Sequence, residues 1–90
     1  MIFKNGEILL GDFAFKKTDI RIHEGRIREI GDNLAPHEGE ETFDLKGKYL
    51  VPGFIDIHIH GAAGEDYSNG TVSGMKRMAS YLASVGVTSF

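Results

Sequence analysis

Cysteine is absent from this 90-residue sequence, and no stretch of it is both long and apolar. Without cysteine the chain forms neither disulfide bonds nor thiolate metal sites, and a cytoplasmic setting fits that composition. No run approaches the roughly 20 apolar residues of a membrane span, and the first residues do not resemble a secretory leader. An excess of basic residues is lacking too, since the net charge is -3. Electrostatics therefore give no reason to expect a nucleic acid or an anionic membrane as a partner.

The most informative stretch runs from Tyr49 to Gly64 and reads YLVPGFIDIHIHGAAG. After the Pro52-Gly53 break, polar and apolar residues alternate, which predicts a short strand. One face of this strand carries Asp56, His58 and His60, and the other face carries isoleucines. Two neutral imidazoles two residues apart on one face can converge on a single divalent metal. The sequence therefore predicts a metal site at the two histidines, with two ordinary polar residues on a half-buried strand as the alternative.

Asp56 points the same way as the histidines but lies deeper in the predicted strand. Its carboxylate could orient a ligand imidazole as a hydrogen-bond acceptor behind the metal ligands. The alternative is a buried structural carboxylate that is hydrogen-bonded to backbone. The residue pattern favours neither role over the other.

The segment Pro52-Gly53-Phe54-Ile55-Asp56, followed by His58-x-His60, resembles the first-strand signature of the amidohydrolase superfamily. The continuation Gly61-Ala62-Ala63-Gly64-x-Asp66 is more similar to the N-acetylglucosamine-6-phosphate deacetylases. Dihydroorotases and hydantoinases resemble the chain up to the second histidine, but they typically continue with a different loop that often carries an arginine. The resemblance implies a metal-dependent hydrolase that converts N-acetylglucosamine 6-phosphate to glucosamine 6-phosphate and acetate. A cyclic-amide hydrolase, dihydroorotase-like or hydantoinase-like, is the alternative.

The same resemblance implies an α/β fold in two parts. Residues 1–52 correspond to the N-terminal part of a small β-sandwich, and residues 53–90 to the first strand, helix and start of the second strand of a (β/α)8 TIM barrel. A complete barrel takes roughly 250 residues, so the 90 residues hold an incomplete one. We therefore expect an N-terminal fragment that has no turnover by itself.

For the site, the resemblance implies that His58 and His60 bind one or two ions of zinc or iron, and that an activated water attacks an amide carbonyl. The remaining metal ligands and the acid-base aspartate are expected beyond Phe90, so no catalytic residue is expected within this chain. The loop residues Gly61, Gly64 and Asp66 are expected near an amino-sugar phosphate substrate, although a plain strand-to-helix connection explains the glycines too. The full-length protein is expected to be a homodimer. A non-catalytic β-rich interaction module is the hypothesis from another functional class.

Local signals predict most of the secondary structure. Strand-like segments before residue 51 are separated by turns at Asn5-Gly6, where a hairpin is expected, and at Glu24-Gly25. Residues 32–41 are predicted to be a surface loop with a solvated acidic cluster at residues 38–41. A helix with Thr71 as its N-cap carries an apolar stripe and ends at Gly86, with a parallel strand after it. The stripe comprises Val72, Met75, Met78, Ala79, Leu82 and Val85, and Gly74 is expected where something packs closely.

Overall fold

A computed structural model describes all 90 residues, and the chain forms two compact units, Met1–Pro52 and Gly53–Phe90. The structure is mostly β with a single α-helix. The first unit holds seven short strands, which are β1 (Ile2–Lys4), β2 (Glu7–Leu9), β3 (Phe15–Lys17), β4 (Asp19–His23), β5 (Arg26–Gly31), β6 (Thr42–Asp44) and β7 (Tyr49–Leu50). No helix in the protein has both the length and the apolar character needed to cross a membrane.

The strands of the first unit form two sheets. Four strands lie in the order β5-β4-β1-β6, and three lie in the order β3-β2-β7. The pairs β1–β6 and β2–β7 are parallel, and the other pairs are antiparallel. Both sheets contribute to the apolar interior, whose buried side chains are Ile2, Ile8, Ile20, Leu34 and Leu45.

The hairpin predicted at Asn5-Gly6 is wrong, because β1 and β2 belong to different sheets. Both neighbours of β1 are already taken, by β4 on one side and β6 on the other. Asn5 does adopt a left-handed turn conformation, with φ 58°, but the turn carries the chain from one sheet into the other. Glycine is favoured there, since a Cβ at position 6 would lie 2.8 Å from the backbone carbonyl oxygen of Lys48.

The turn predicted at Glu24-Gly25 is confirmed. It joins β4 and β5 as an antiparallel hairpin, and both turn residues have positive φ, 50° and 69°, as a type I′ turn requires. The loop predicted over residues 32–41 is also free of helix and strand. It is not wholly solvated, however, because Leu34 is buried and its N–H donates to the carboxylate of Asp19 at 3.0 Å.

Glu40 also departs from the prediction of a solvated acidic cluster, because its side chain is only 11% exposed. The backbone N–H of His37 donates to Glu40 Oε2 at 3.0 Å. The N-terminal amine lies 3.3 Å from Oε1, and Arg21 Nε lies 3.1 Å from the same oxygen. The hydrogen bond from His37 is the largest of the effects that lower the pKa of Glu40 from 4.5 to about 2, and the amine and Arg21 act in the same direction.

We expect the protein to lose stability as the pH falls from about 4.5 to about 2. The folded-state pKa of Glu40 is depressed, so its stabilising effect is complete above the unfolded-state value and is lost as the pH falls through the folded-state value. Urea unfolding midpoints measured across this window should therefore decline less steeply for Glu40→Gln than for the wild type. Glu38→Gln is the matched control, since Glu38 is exposed. Its urea midpoint should decline with falling pH as steeply as that of the wild type. If the midpoints of Glu40→Gln and the wild type declined equally with falling pH, Glu40 would not be the group responsible for the loss of stability.

The second unit contains the remaining elements: β8 (Phe54–Ile55), β9 (Gly61–Ala62), β10 (Glu65–Asp66), a 3-10 helix (Tyr67–Asn69), α1 (Val72–Ser84) and β11 (Val87–Ser89). Strand β8 pairs with β11 in parallel, as predicted. Helix α1 begins after Thr71, whose hydroxyl accepts from the N–H of Gly74 at 3.1 Å, and Gly86 follows the helix with φ 88°. Both predicted helix ends are confirmed.

The apolar stripe on α1 is confirmed at its centre and not at its ends. Met78 and Leu82 are buried, whereas Val72 and Val85 are exposed. Gly74 is buried as well, and a Cβ there would lie 2.7 Å from the carboxylate of Glu65 and 2.8 Å from the hydroxyl of Thr71. The close packing predicted at Gly74 is therefore confirmed.

Candidate metal-binding site

The segment that carries the two histidines leaves the sheet earlier than predicted. Strand β8 ends at Ile55, and residues 56–60 lie outside regular strand. The last hydrogen bond along this edge runs from the N–H of Asp56 to the carbonyl of Ser89, at 2.9 Å. Ile57 is 93% exposed, so the predicted apolar face is not packed at this position. The prediction of one regular strand through His60 is therefore wrong.

The two histidines nevertheless come together. Their Nε2 atoms are 3.0 Å apart and their ring centroids 4.9 Å apart, and both side chains are exposed. Two imidazole nitrogens bound to one tetrahedral zinc at about 2.0–2.1 Å would lie about 3.3 Å apart, slightly farther than these two. The spacing of His58 and His60 thus fits a shared divalent ion, provided that both Nε2 atoms are free of protons.

Asp56 supports the backbone of this segment. Its carboxylate accepts a hydrogen bond from the backbone N–H of His58 at 3.0 Å and makes no hydrogen bond with either imidazole. No group of three or more histidine, cysteine, aspartate or glutamate side chains is arranged to hold a metal. The residues present therefore offer two imidazole ligands and no third protein ligand, which suits metal binding but does not complete the three-ligand set of a catalytic zinc site.

The glycine-rich loop after His60 is a tight β-hairpin, which the sequence did not predict. Strands β9 and β10 pair in antiparallel fashion, and the turn residues Ala63 and Gly64 have φ 53° and 77°, as in a type I′ turn. Position 61 has no room for a side chain, because a Cβ there would lie 2.1 Å from the carbonyl oxygen of Glu65. The usual signal for such a turn, asparagine or aspartate before glycine, is replaced here by alanine.

Asp66 caps the 3-10 helix that follows the hairpin. Its carboxylate accepts from the Ser68 hydroxyl and, at 2.8 Å, from the Ser68 backbone N–H. These bonds, the hydroxyl bond foremost, lower the pKa of Asp66. The next residue, Tyr67, donates its N–H to the carbonyl of His60 at 2.7 Å. The loop is thereby tied back to the second histidine.

Two further side chains near the site were missed by sequence reasoning. Glu65, on β10, is contacted by both Nε and Nη2 of Arg77 on α1, with Nε at 2.8 Å from Oε1. The two residues are 12 positions apart and belong to different elements, so no local pattern could pair them. The closely packed Gly74 was the one available signal that something lies against the first turns of the helix.

Comparison with known proteins places these features in a family context. A model of the amidohydrolase family matches residues 41–86, which is about half of the chain and includes both histidines. A dihydroorotase of Geobacillus sp. (strain WCH70) is 36% identical over 81 residues, which cover 84% of this chain and 19% of the relative. A dihydroorotase of Trichlorobacter lovleyi is 36% identical over 78 residues, covering 84% of this chain and 18% of the relative. The chain thus spans about a fifth of the length of these curated relatives.

Two solved structures also resemble this chain. A D-hydantoinase (dihydropyrimidinase) from Thermus sp. is 45% identical with a TM-score of 0.58, over 67% of this chain and 13% of that one. A protein from Bacillus thuringiensis is 33% identical with a TM-score of 0.52, over 71% of this chain and 92% of that one. The mostly-β arrangement with one helix is therefore similar to part of a hydantoinase.

Proposed function

This chain belongs to the amidohydrolase family, and on that premise we propose that His58 and His60 supply two ligands of a divalent metal in an enzyme that hydrolyses cyclic amides. The convergence of the two Nε2 atoms, 3.0 Å apart, is the observation that carries the proposal. The relatives named above are dihydroorotases and a hydantoinase. They favour the cyclic-amide alternative over the deacetylation of N-acetylglucosamine 6-phosphate, which the loop after His60 led us to expect.

Within the cyclic amides, the loop favours a ring without a carboxylate. Dihydroorotate carries one, and a site that holds a carboxylate commonly uses arginine or lysine. The stretch between His60 and Thr71 contains no cationic residue, and it carries Glu65 and Asp66. We therefore propose a neutral hydantoin or dihydropyrimidine ring as the substrate class, in line with the 45% identity to the D-hydantoinase.

In this proposal a bound divalent metal, zinc or iron, would polarise the amide carbonyl and activate water. The chain contributes the two imidazole ligands, and it holds their backbone through Asp56 on one side and the hairpin on the other. No group in the chain is assigned as the acid-base catalyst. The proximity of Gly61, Gly64 and Asp66 to substrate and a dimeric state of the full-length protein remain predictions.

The fold proposal follows the same reasoning. Strand β8, helix α1 and the parallel strand β11 form a β-α-β succession, which is the repeating unit of a (β/α)8 barrel. We propose that the second unit is the start of such a barrel. We propose that the first unit, with its two sheets, is part of a flanking β-sandwich.

The proposed activity is tested on the protein as its gene encodes it, loaded with Zn2+ and offered four substrates. Ring opening of hydantoin and dihydrouracil is expected, with much slower turnover of dihydroorotate and none of N-acetylglucosamine 6-phosphate. The 90 residues alone should show no turnover, because two imidazoles leave a catalytic zinc without its third protein ligand. Deacetylation of the amino sugar in place of ring opening would overturn the proposal.

A further inference from the structure

We infer that Glu65 and Arg77 are positioning residues, whose ion pair fastens the β9-β10 hairpin to α1 and so holds the imidazole of His60 beside that of His58. The inference rests on the proposed function, since it takes both imidazoles as metal ligands. Neither side chain hydrogen-bonds to a histidine ring, so both would act through the backbone between them.

The ion pair itself is well placed to restrain the hairpin. Arg77 presents both Nε and Nη2 to Glu65 Oε1, and a guanidinium that engages a carboxylate through two nitrogens is more restrictive than a lysine point charge. The Glu65 side chain is only 19% exposed, so water screens the pair less than it screens a fully exposed one.

Gly74 makes room for this arrangement. A Cβ at position 74 would lie 2.7 Å from Glu65 Oε2, the oxygen that Arg77 does not engage. Glu65 therefore sits directly against the first turns of α1, with its carboxylate held between the helix backbone and the Arg77 guanidinium. The Glu65 side chain thereby ties the hairpin to α1.

The restraint passes to His60 through two short backbone links. Glu65 pairs with Ala62 and Asp66 pairs with Gly61, the residue that follows His60. Tyr67, which follows Asp66, donates its N–H to the carbonyl of His60 at 2.7 Å. The backbone of His60 is thus held at the open end of the hairpin that Glu65 anchors. The backbone of His58 is held separately, by its hydrogen bond to Asp56. Each histidine has a separate anchor, and loss of either anchor should spoil the convergence of the rings.

The test measures the Zn2+ affinity of the protein by competition with a chromophoric chelator, for Glu65→Gln, Arg77→Gln and the double variant. Each single variant should lose about tenfold in affinity, the low end of the effect of removing a group that orients a metal ligand. The double variant should lose no more than either single one, since both break the same pair. Arg77→Lys, which keeps the charge, should recover part of the loss.

The matched controls are Glu24→Gln and Arg28→Gln. They break another glutamate–arginine pair, with Arg28 Nη2 3.5 Å from Glu24 Oε2, on the exposed surface of the first unit. Both controls should bind Zn2+ within about twofold of the wild type, since an exposed pair far along the chain orients no metal ligand. Equal losses in the controls and in the Glu65 variant would overturn the inference, because they would show a general effect of removing a charge.

The second readout needs no metal. In histidine-ring NMR spectra of the metal-free protein, Glu65→Gln and Arg77→Gln should shift the resonances of His60 and leave those of His23 and His37 in place. If the wild type binds no Zn2+, the proposed function fails and the ring spectra alone decide the inference. Unchanged His60 resonances in both variants would overturn it. Since Arg77 is 61% exposed, Arg77→Gln serves as the decisive variant if Glu65→Gln fails to fold.

Discussion

Replacing both His58 and His60 by alanine is expected to lower the affinity of the protein for Zn2+ by more than about a hundredfold. Loss of a group that merely orients a metal ligand costs about 10–100-fold, so loss of both ligands costs more. The two Nε2 atoms are 3.0 Å apart, and no group of three or more histidine, aspartate or glutamate side chains is arranged to hold the ion in their place. Competition with a chromophoric chelator measures the effect, with fold stability followed by circular dichroism.

His23→Ala combined with His37→Ala is the matched control for this experiment. Both residues belong to the first unit, and both side chains are exposed. This control should bind Zn2+ like the wild type. If the His58/His60 double variant kept its affinity while the control lost it, the metal site would lie in the first unit and not where we place it.

Replacing Gly61 by alanine is expected to destabilise the folded state by about 2–3 kcal/mol, the upper part of the range for forcing extra volume into a closely packed position. The added Cβ would lie 2.1 Å from the carbonyl oxygen of Glu65 and 3.0 Å from the Cα of Asp66. Both are backbone atoms of the paired strand, so the clash cannot be relieved by a side-chain rotation. The hairpin has to open, and His60 has to move with it.

Two other glycines separate this steric effect from the general effect of a glycine substitution. A Cβ at Gly64, where φ is 77°, would meet no atom within 4 Å, so Gly64→Ala should cost only about 1–2 kcal/mol of left-handed strain. Gly11 has neither constraint, and Gly11→Ala should be close to neutral. Urea unfolding should rank the losses Gly61, Gly64, Gly11 in descending order. A loss for Gly61→Ala no larger than that for Gly64→Ala would contradict the structure.

The helix could be predicted from the sequence because its signals are local. Thr71 caps one end through its own hydroxyl, and Gly86 ends the other with φ 88°. The apolar spacing places Met78 and Leu82 in the interior. The strand pairing around Asn5-Gly6 could not be predicted in the same way. This dipeptide indicates that the chain turns, but it does not indicate which strand pairs with the strand that follows the turn. Here the parallel partner of β1 is β6, which lies far along the chain at Thr42–Asp44.

The candidate site was predicted in part. Alternation placed His58 and His60 together, and their rings do meet, although the strand that was to align them ends at Ile55. The hairpin escaped prediction because Ala63, an uncommon residue for a left-handed turn, occupies its first turn position. The ion pair of Glu65 and Arg77 escaped because it is a contact between elements.

The glycines after His60 explain why the sequence pointed to the deacetylases. Gly61 avoids the carbonyl of Glu65, and Gly64 supplies a positive φ to the turn. The hairpin itself accounts for both requirements, so the glycines alone do not identify the substrate. Identity over a longer stretch of chain, as in the matches to dihydroorotases and to a D-hydantoinase, favours cyclic-amide hydrolases over the deacetylases.

Zinc-edge X-ray absorption on the Zn2+-loaded 90-residue chain would show whether His58 and His60 bind one metal. We expect two imidazole nitrogens at about 2.0–2.1 Å from the zinc, with oxygen ligands in the other positions. The imidazole scattering should vanish in the His58→Ala/His60→Ala variant. A zinc environment with no imidazole, or one that is unchanged in that variant, would show that His58 and His60 do not bind the metal.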